Sequence, residues 1–309
     1  MIDISLIGTG GMIPLPNRFL TSMLARNRIN GSMLLIDCGE NTQITLRQQG
    51  WGFKNLDYIC FTHFHADHIA GLPGLLLTIG NSDRTEPITI IGPAGIKKIV
   101  NSLRVIAPEL PFEIDFIELD LKENSVINLS LGKYNISALS LAHRIPCAGY
   151  SINLPRVGKF DSERAKQQNI PLKYWRFLQK GETVDCDGKI YTPNMVLGPE
   201  RKGIKISYIT DTRPTESIPE FIYGSDLFIC EGLYGEDDKL SKAESHNHMI
   251  FSEAAELAKK GCVSELWLTH YSPAMLNPED YIETAKNIFE NSIAGYDRIS
   301  KSIIHDSDL

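Results

Sequence analysis

The stretch ICFTHFHADHIAGLPGLL, residues 59–76, sets three histidines and an aspartate within six consecutive residues, directly after an apolar run. Imidazole and carboxylate groups buried without partners carry a large desolvation cost, so the chain must fold to give this cluster a purpose or a partner. The preceding LDYICFT has the composition of a buried strand, and IAGLPGLLLTIG reads as the start of a helix. The cluster therefore falls on the loop at a strand end, which is where layered α/β proteins keep their chemistry.

The rest of the chain repeats that grammar. Strand-like runs recur at IDISLIG, SMLLIDCG, LDYICFT, ITIIG, FEIDFIEL, YNISALSL and AGYSINL, and after a gap at IKISYITDT, DLFICEG, ELWLTH and RISKSII. Helices are expected between them, among them one over 251–260, apolar at Ala254, Ala255, Leu257 and Ala258, and one over 278–289. Two similar halves of strands and helices predict a layered α/β architecture. With 309 residues, 42% of them apolar, the chain can bury a full core as one large domain or two.

Met1 leads straight into a strand-like run, with no basic and apolar leader and no stretch long enough to span a bilayer, so a cytoplasmic protein is expected. Cys38, Cys60, Cys147, Cys186, Cys230 and Cys262 are scattered singly without a CxxC pair. That spacing argues against a disulfide framework and against a cysteine zinc site, leaving most of them as small buried apolar groups.

The gap between the two halves differs in composition. Residues 155–203 lack long apolar strands; FDSERAKQQN and LKYWRFLQK read as short helices, and GETVDCDGKIY as a hairpin turning at Asp187–Gly188. The segment holds ten Lys and Arg against six Asp and Glu, a net of +4 in a chain of net −7, so the remainder carries −11. A basic insertion on an acidic body suits a polyanionic partner, and reads equally as a solvated surface excursion.

His63, His65, Asp67 and His68 offer the nitrogen and oxygen donors that suit zinc. In an extended loop His63 and His65 project the same way and can share one metal, while Asp67 and His68 lie beyond the turn and can reach a second. Further ligands are required, and single ligand-type residues stand just past three other apolar strands: His143, Asp211 and His270. Each taken alone also reads as a structural residue, Asp211 as the start of an Asx turn; beside the cluster they read as one site.

THFHADH has the HxHxDH form and, followed in order by His143, Asp211 and His270, resembles the dinuclear zinc hydrolases of the metallo-β-lactamase superfamily. LIGTGGMIP, DCGENTQ, HADHIAGLPGLL, IIGPAGI, AGYSI, the NIP…LQKGETV of the basic segment, ITDTRP and His248 ahead of FSEAAELAKK are similar, over nearly the whole chain, to the ribonuclease Z family, which trims precursor-tRNA 3′ ends. The resemblance implies a four-layer αββα fold, one domain over 1–309 with a protruding basic arm inserted at 155–203, and a cytoplasmic homodimer without organic cofactor or membrane contact. It implies two zinc ions, exchangeable with manganese: His63, His65 and His143 on one, Asp67, His68 and His270 on the other, Asp211 bridging. A water activated between the metals is then the nucleophile. Asp67, His248 and Glu231 are the implied catalytic residues, with His248 donating a proton to the leaving 3′ oxygen and Glu231 orienting it; His246 is the competing acid.

Two places depart from the family pattern. The amino-terminal PxKxRN loop, which in the family recognises the tRNA acceptor end, here keeps Pro14 and Arg18 but has Pro16 and Phe19 in place of Lys and Asn. In the arm, Leu172–Arg176 replaces a Pro-Gly-Pro element. Arg18, Lys173, Tyr174, Trp175, Arg176 and Lys180 are the expected substrate-binding residues, since aromatic rings among cations can stack on bases and neutralise phosphate; Tyr174 and Trp175 read equally as packing within the arm. The expected activity is endonucleolytic removal of the 3′ trailer of precursor tRNA, leaving a 3′-hydroxyl. Two alternatives stay open: a hydrolase of small phosphodiesters, thioesters or lactones, and a non-enzymatic nucleic-acid-binding protein with structural metals.

Overall fold

The computed structural model describes residues 1–305 apart from 133 and 187. The chain divides into two compact units, Met1–Ile152 with Lys205–Leu309, and Asn153–Ile204. Its strands are β1 (Ile2–Gly8), β2 (Ser22–Asn27), β3 (Met33–Ile36), β4 (Leu56–Cys60), β5 (Ile88–Pro93), β6 (Ile114–Leu119), β7 (Val126–Leu131), β8 (Tyr134–Leu141), β9 (Cys147–Arg156), β10 (Val184–Cys186), β11 (Lys189–Tyr191), β12 (Arg201–Ile209), β13 (Leu227–Glu231), β14 (Leu266–Thr269), β15 (Ser292–Ala294) and β16 (Ser300–Ile303). The helices are α1 (Thr42–Gln49), α2 (Ala66–Ile69), α3 (Leu72–Gly80), α4 (Ile96–Leu103), α5 (Ser162–Gln167), α6 (Leu172–Gln179), α7 (Ser217–Ile222), α8 (Leu240–His246), α9 (Phe251–Lys260) and α10 (Ile282–Lys286).

The larger unit holds two seven-stranded sheets, ordered β16-β1-β2-β3-β4-β5-β6 and β15-β14-β13-β12-β9-β8-β7. Each contains a parallel run, β3 to β6 in the first and β12 to β15 in the second; the 63–68 cluster, Asp211 and His270 follow strands of these runs, whereas His143 follows the antiparallel β8. Strands buried on both faces read as continuous apolar runs, and β13 is buried at every position. Alternate residues separate the faces. Met33 and Leu35 of β3 and Ile88 and Ile90 of β5 pack with Leu46, Leu75 and Val100 of α1, α3 and α4. Phe228 and Cys230 of β13 and Leu266 and Leu268 of β14 pack with Ile222, Ala254, Leu257 and Ile282 of α7, α9 and α10.

The opposite faces meet. Tyr150 donates its hydroxyl to the carbonyl of Phe61 at 2.7 Å, Tyr134 donates to the carbonyl of Ser32 at 2.7 Å, and the hydroxyls of Thr21 and Tyr208 lie 3.0 Å apart. Each bond joins one sheet to the other, so buried tyrosine hydroxyls find backbone or hydroxyl partners between the layers. Helices outside two facing sheets make the expected αββα order.

The helix over 251–260 forms as its periodicity predicts, burying Phe251, Ala254, Ala255, Leu257 and Ala258 on one stripe. Other expectations need correction. The helix expected over 278–289 is a 3-10 turn, Pro278–Tyr281, followed by the short α10. The helix expected to start at Ile69 is instead two: α2, which begins earlier and already includes Asp67 and His68, and α3, the break coming where Gly71 N–H donates to the Cys38 carbonyl at 3.0 Å. Strands β2, β7 and β15 escape the sequence pattern; β7 alternates exposed with partly buried residues and lacks a long apolar run.

The smaller unit has its own core of Ala165, Ile170, Leu178, Tyr191 and Val196. Asp161 caps α5 by accepting from Glu163 N and Arg164 N, both at 3.0 Å. β10 and β11 pair antiparallel as the expected hairpin, with Asp187 of its turn outside the described residues. Among the described residues no disulfide is formed, and Cys38, Cys60, Cys147 and Cys230 are buried. Among the described residues no helix is long and apolar enough to cross a membrane.

Candidate metal centre

The seven expected ligands come from several chain segments and converge. His63 and His65 leave β4, and His65 stands at the N-cap of α2, so the first helical turn points Asp67 and His68 back to the same place. His143, Asp211 and His270 follow the ends of β8, β12 and β14. Asp211 and His270 take left-handed backbone at φ 48° and 59°, and so does Asp37 after β3 at φ 59°. Such conformations are uncommon for residues other than glycine and cluster at functional sites.

His63, His65, His143 and Asp211 form one group of donor atoms, all within 4.8 Å of one another; Asp67, His68 and His270 form a second. His65 Nδ1 lies 2.9 Å from His63 Nε2 and 3.2 Å from His143 Nε2. In the second group His68 Nε2 is 3.2 Å from His270 Nε2, and Asp67 Oδ2 is 3.5 Å from His270 Nε2. Ligand atoms held tetrahedrally about 2.0–2.1 Å from a zinc ion stand about 3.3 Å apart, so these spacings fit a metal. Asp211 turns Oδ1 towards His68 and His270, at 3.3 Å each, and Oδ2 towards His63 at 3.7 Å. One carboxylate thus faces both groups, the geometry of a bridge.

Burial lowers the pKa of His63 and His65 and brings that of His143 down to about 4. The three imidazoles are therefore neutral at physiological pH, the form that binds a metal. Burial opposes the charge on Asp67 and Asp211 as well, but the surrounding histidines outweigh it and hold both carboxyls well below the usual carboxylate range. Burial likewise works against a charged His68, and Asp211 with Asp37 overcomes it, raising that pKa.

A second layer braces His68 and Asp67, whereas Nδ1 of His143 and of His270 is buried without a hydrogen-bond partner among the described residues. Asp37 is wholly buried; its Oδ2 lies 2.8 Å from His68 Nδ1 and its Oδ1 accepts from Thr62 N at 2.8 Å. With Nδ1–H held by Asp37, Nε2 is the nitrogen of His68 that would lose its proton to a bound metal and ligate it. Met12 N–H donates to Asp67 Oδ2 at 2.7 Å. The glycines of the amino-terminal and DCG motifs permit close approach: a Cβ on Gly11 would sit 2.8 Å from the His270 ring, and one on Gly39 would sit 2.3 Å from the Asp67 carbonyl. The sequence displayed Asp37 within DCGENTQ; only the fold gives it a role.

Beside the ligands, fully buried Glu231 at the end of β13 accepts from Thr212 N at 2.7 Å and lies 2.9 Å from His248 Nδ1. Its charge overcomes the effect of burial and raises the pKa of His248 to about 9. The other ring nitrogen of His248 faces Asp211 Oδ2 at 3.9 Å. His248, His246, Tyr234, Arg144 and Met12 are among the residues lining an open cleft of about 750 Å³ over the ligands. His246 is exposed, and its Nδ1 lies 2.8 Å from the Lys242 carbonyl.

The expected substrate-binding residues divide. Arg18 is buried and donates to the carbonyls of Met275 and Leu276 at 2.7 and 2.8 Å, with its guanidinium over the Tyr271 ring. Its donors bind the protein's own backbone, so the guanidinium is held within the fold. Trp175 donates Nε1–H to the Ile170 carbonyl at 2.9 Å, and Trp175 and Tyr174 pack against the core of their own unit. Packing therefore accounts for both rings, whereas Lys173, Arg176 and Lys180 are exposed.

The chain is 53% identical over 308 residues to a ribonuclease Z of Lachnoclostridium phytofermentans, a match covering 100% of both chains. The chain belongs to the ribonuclease Z family. Among solved structures, human tRNase Z, short form, aligns with a TM-score of 0.69 at 24% identity, covering 98% of this chain and 100% of the other. A metallo-β-lactamase fold protein from Bacillus subtilis aligns with a TM-score of 0.68 at 19% identity, covering 97% and 98%. These likenesses establish the metallo-β-lactamase fold for this ribonuclease Z family member. A family model described as anti-Pycsar protein Apyc1 matches residues 2–144. That stretch includes His63, His65, Asp67, His68 and His143 but ends before Asp211, Glu231, His248 and His270.

Proposed function

We propose that the protein is a zinc-dependent endoribonuclease that removes the 3′ trailer of precursor tRNA and leaves a 3′-hydroxyl. The observation that carries this reading is the convergence of seven ligand-type side chains and a buried Glu231–His248 pair beneath one cleft. Full-length likeness to ribonuclease Z supports it. His63, His65 and His143 would hold one zinc, Asp67, His68 and His270 the other, with Asp211 shared; manganese suits the same donors. Two such ions make water nucleophilic near neutral pH and offset charge on the scissile phosphate.

The chain's own residues do the rest. Asp67, fixed by Met12 N–H, keeps its carboxylate on the second group of ligands. His248 carries its proton at neutral pH, and its Nε2 faces the site, so it gives that proton to the 3′ oxygen as the phosphorus–oxygen bond breaks. Glu231 fixes the ring by holding Nδ1–H. The 153–204 unit acts as the RNA-docking arm, where Lys173, Arg176 and Lys180 neutralise phosphates. A cytoplasmic setting agrees with cysteines that form no disulfide among the described residues, and the family likeness favours a homodimer.

Cleavage mapping on a precursor tRNA with a 3′ trailer tests the reading. One cut at the trailer junction with a 3′-hydroxyl on the tRNA is expected. Efficient hydrolysis of small esters without any cut in the RNA would instead favour a small-phosphodiester hydrolase.

A further inference from the structure

Two arginines stand just beyond two of the ligand residues: Arg144 follows His143, and Arg213 lies two places after Asp211. Arg213 Nη1 donates to the His248 carbonyl at 2.5 Å and to Glu253 Oε2 at 2.8 Å, and Nη2 donates to Glu253 Oε1. Glu253 Oε2 also accepts from Ile250 N at 3.2 Å. From the other side, Arg144 Nη2 donates to the Ser245 carbonyl at 2.6 Å. The segment that carries His248 is thus gripped at residues 245, 248 and 250. The turns that supply the arginines are joined as well, since Thr212 Oγ1 accepts from Ala142 N at 3.0 Å and Arg213 N donates to the Ala142 carbonyl at 3.3 Å.

Starting α9 does not call for this arrangement. A Ser, Thr or Asp at the N-cap would satisfy the free N–H groups at less cost in side-chain order than a paired Arg and Glu. Here the N-cap is Ile250, whose side chain has no acceptor, and the first-turn acid is committed to a bidentate pair with an arginine from the Asp211 turn. The pairing fixes distance. Glu231 holds the His248 ring at Nδ1 and Arg213 holds its carbonyl, and two fixed points determine where Nε2 points. An acid acts only within about 2.6–3.2 Å of the atom it protonates, and a shift of about 1 Å can cost about 10²-fold.

We propose that Arg213, Glu253 and Arg144 are positioning residues that register His248 against the metal-ligand strand ends. This rests on the reading of His248 as the general acid. Neither arginine needs to touch the reacting atoms; their effect passes through the backbone of residues 245–250.

The test uses Arg213→Lys, Glu253→Gln and Arg144→Met, each with metal content and Tm measured, on two kinds of substrate. Precursor tRNA, or a dinucleoside monophosphate, expels a ribose hydroxyl that needs a proton; bis(4-nitrophenyl) phosphate expels a phenolate that needs little. With metal content unchanged, Arg213→Lys should lower kcat on the ribose leaving group by about ten- to a hundredfold and on the nitrophenyl ester by less than about threefold, with KM steady. Glu253→Gln and Arg144→Met should show the same bias with smaller losses. In a His248→Ala background, Arg213→Lys should cost nothing further on the ribose substrate. Equal losses on both substrates, loss of metal, or full additivity with His248→Ala overturns the clamp alone. A His248→Ala enzyme without leaving-group bias overturns the acid assignment, and the clamp with it.

Discussion

The histidine cluster at 63–68 and the basic helix α6 at 172–179 place their polar groups in opposite ways. His63 and His68 are wholly buried, and both ring nitrogens of each lie close to another polar side chain. In α6 the apolar side packs inwards at Leu178, Tyr174 and Trp175, while Lys173 and Arg176, with Lys180 just beyond, remain exposed. On the proposed function, the difference matches what each would have to do. A ligand must stand within tenths of an ångström of its place, which demands buried bracing. A phosphate contact acts through charge over a Debye length of about 8–10 Å, so a long, mobile side chain serves.

Six variants sharpen or break that contrast. The largest effect should come from Asp211→Ala, which removes the carboxylate facing both groups of ligands; elemental analysis should find metal lost, and RNA cleavage should fall to background. A folded variant with full metal and normal turnover would falsify the bridging role. Next, His248→Ala should retain metal and slow cleavage of a ribose leaving group by about 10²–10⁴-fold, with His246→Ala nearly silent. The pH profile adds a check. On the proposed role the protonated form of His248 is the active one, so kcat/KM should decline as pH rises through about 9. Glu231→Gln removes the negative charge that raises this pKa, so the alkaline limb should move to lower pH.

Asp37→Asn tests the second layer of the buried region and should weaken metal affinity or activity by about 10–100-fold, measured by chelator competition. No change there would mean that His68 needs no support from behind. The smallest effect should follow from neutralising Lys173, Arg176 and Lys180 together. Nitrophenyl ester turnover should be preserved, KM for precursor tRNA should rise at nearly constant kcat, and the salt dependence of binding should flatten by about one unit for each phosphate no longer neutralised. An unchanged salt slope would remove α6 from the docking surface.

Fold class and the candidate ligand set are legible in the order of residues alone. Contiguous apolar runs mark central parallel strands because both of their faces are buried, and ligand-type residues stand out at strand ends because nothing apolar surrounds them there. Edge strands such as β7 and β15 carry no such signal, since solvent or a neighbour on one side relaxes the pattern. What side chains at distant positions do once they meet is settled only by the folded chain. Asp37 is an ordinary residue after a strand until His68, thirty-one positions away, lies 2.8 Å from it. Arg18, Tyr174 and Trp175 have the composition of an RNA contact, yet Arg18 and Trp175 donate to backbone carbonyls of their own chain and Tyr174 packs into its own unit's core. Residue type fixes which bonds a side chain can make, and the fold fixes which partner reaches it first.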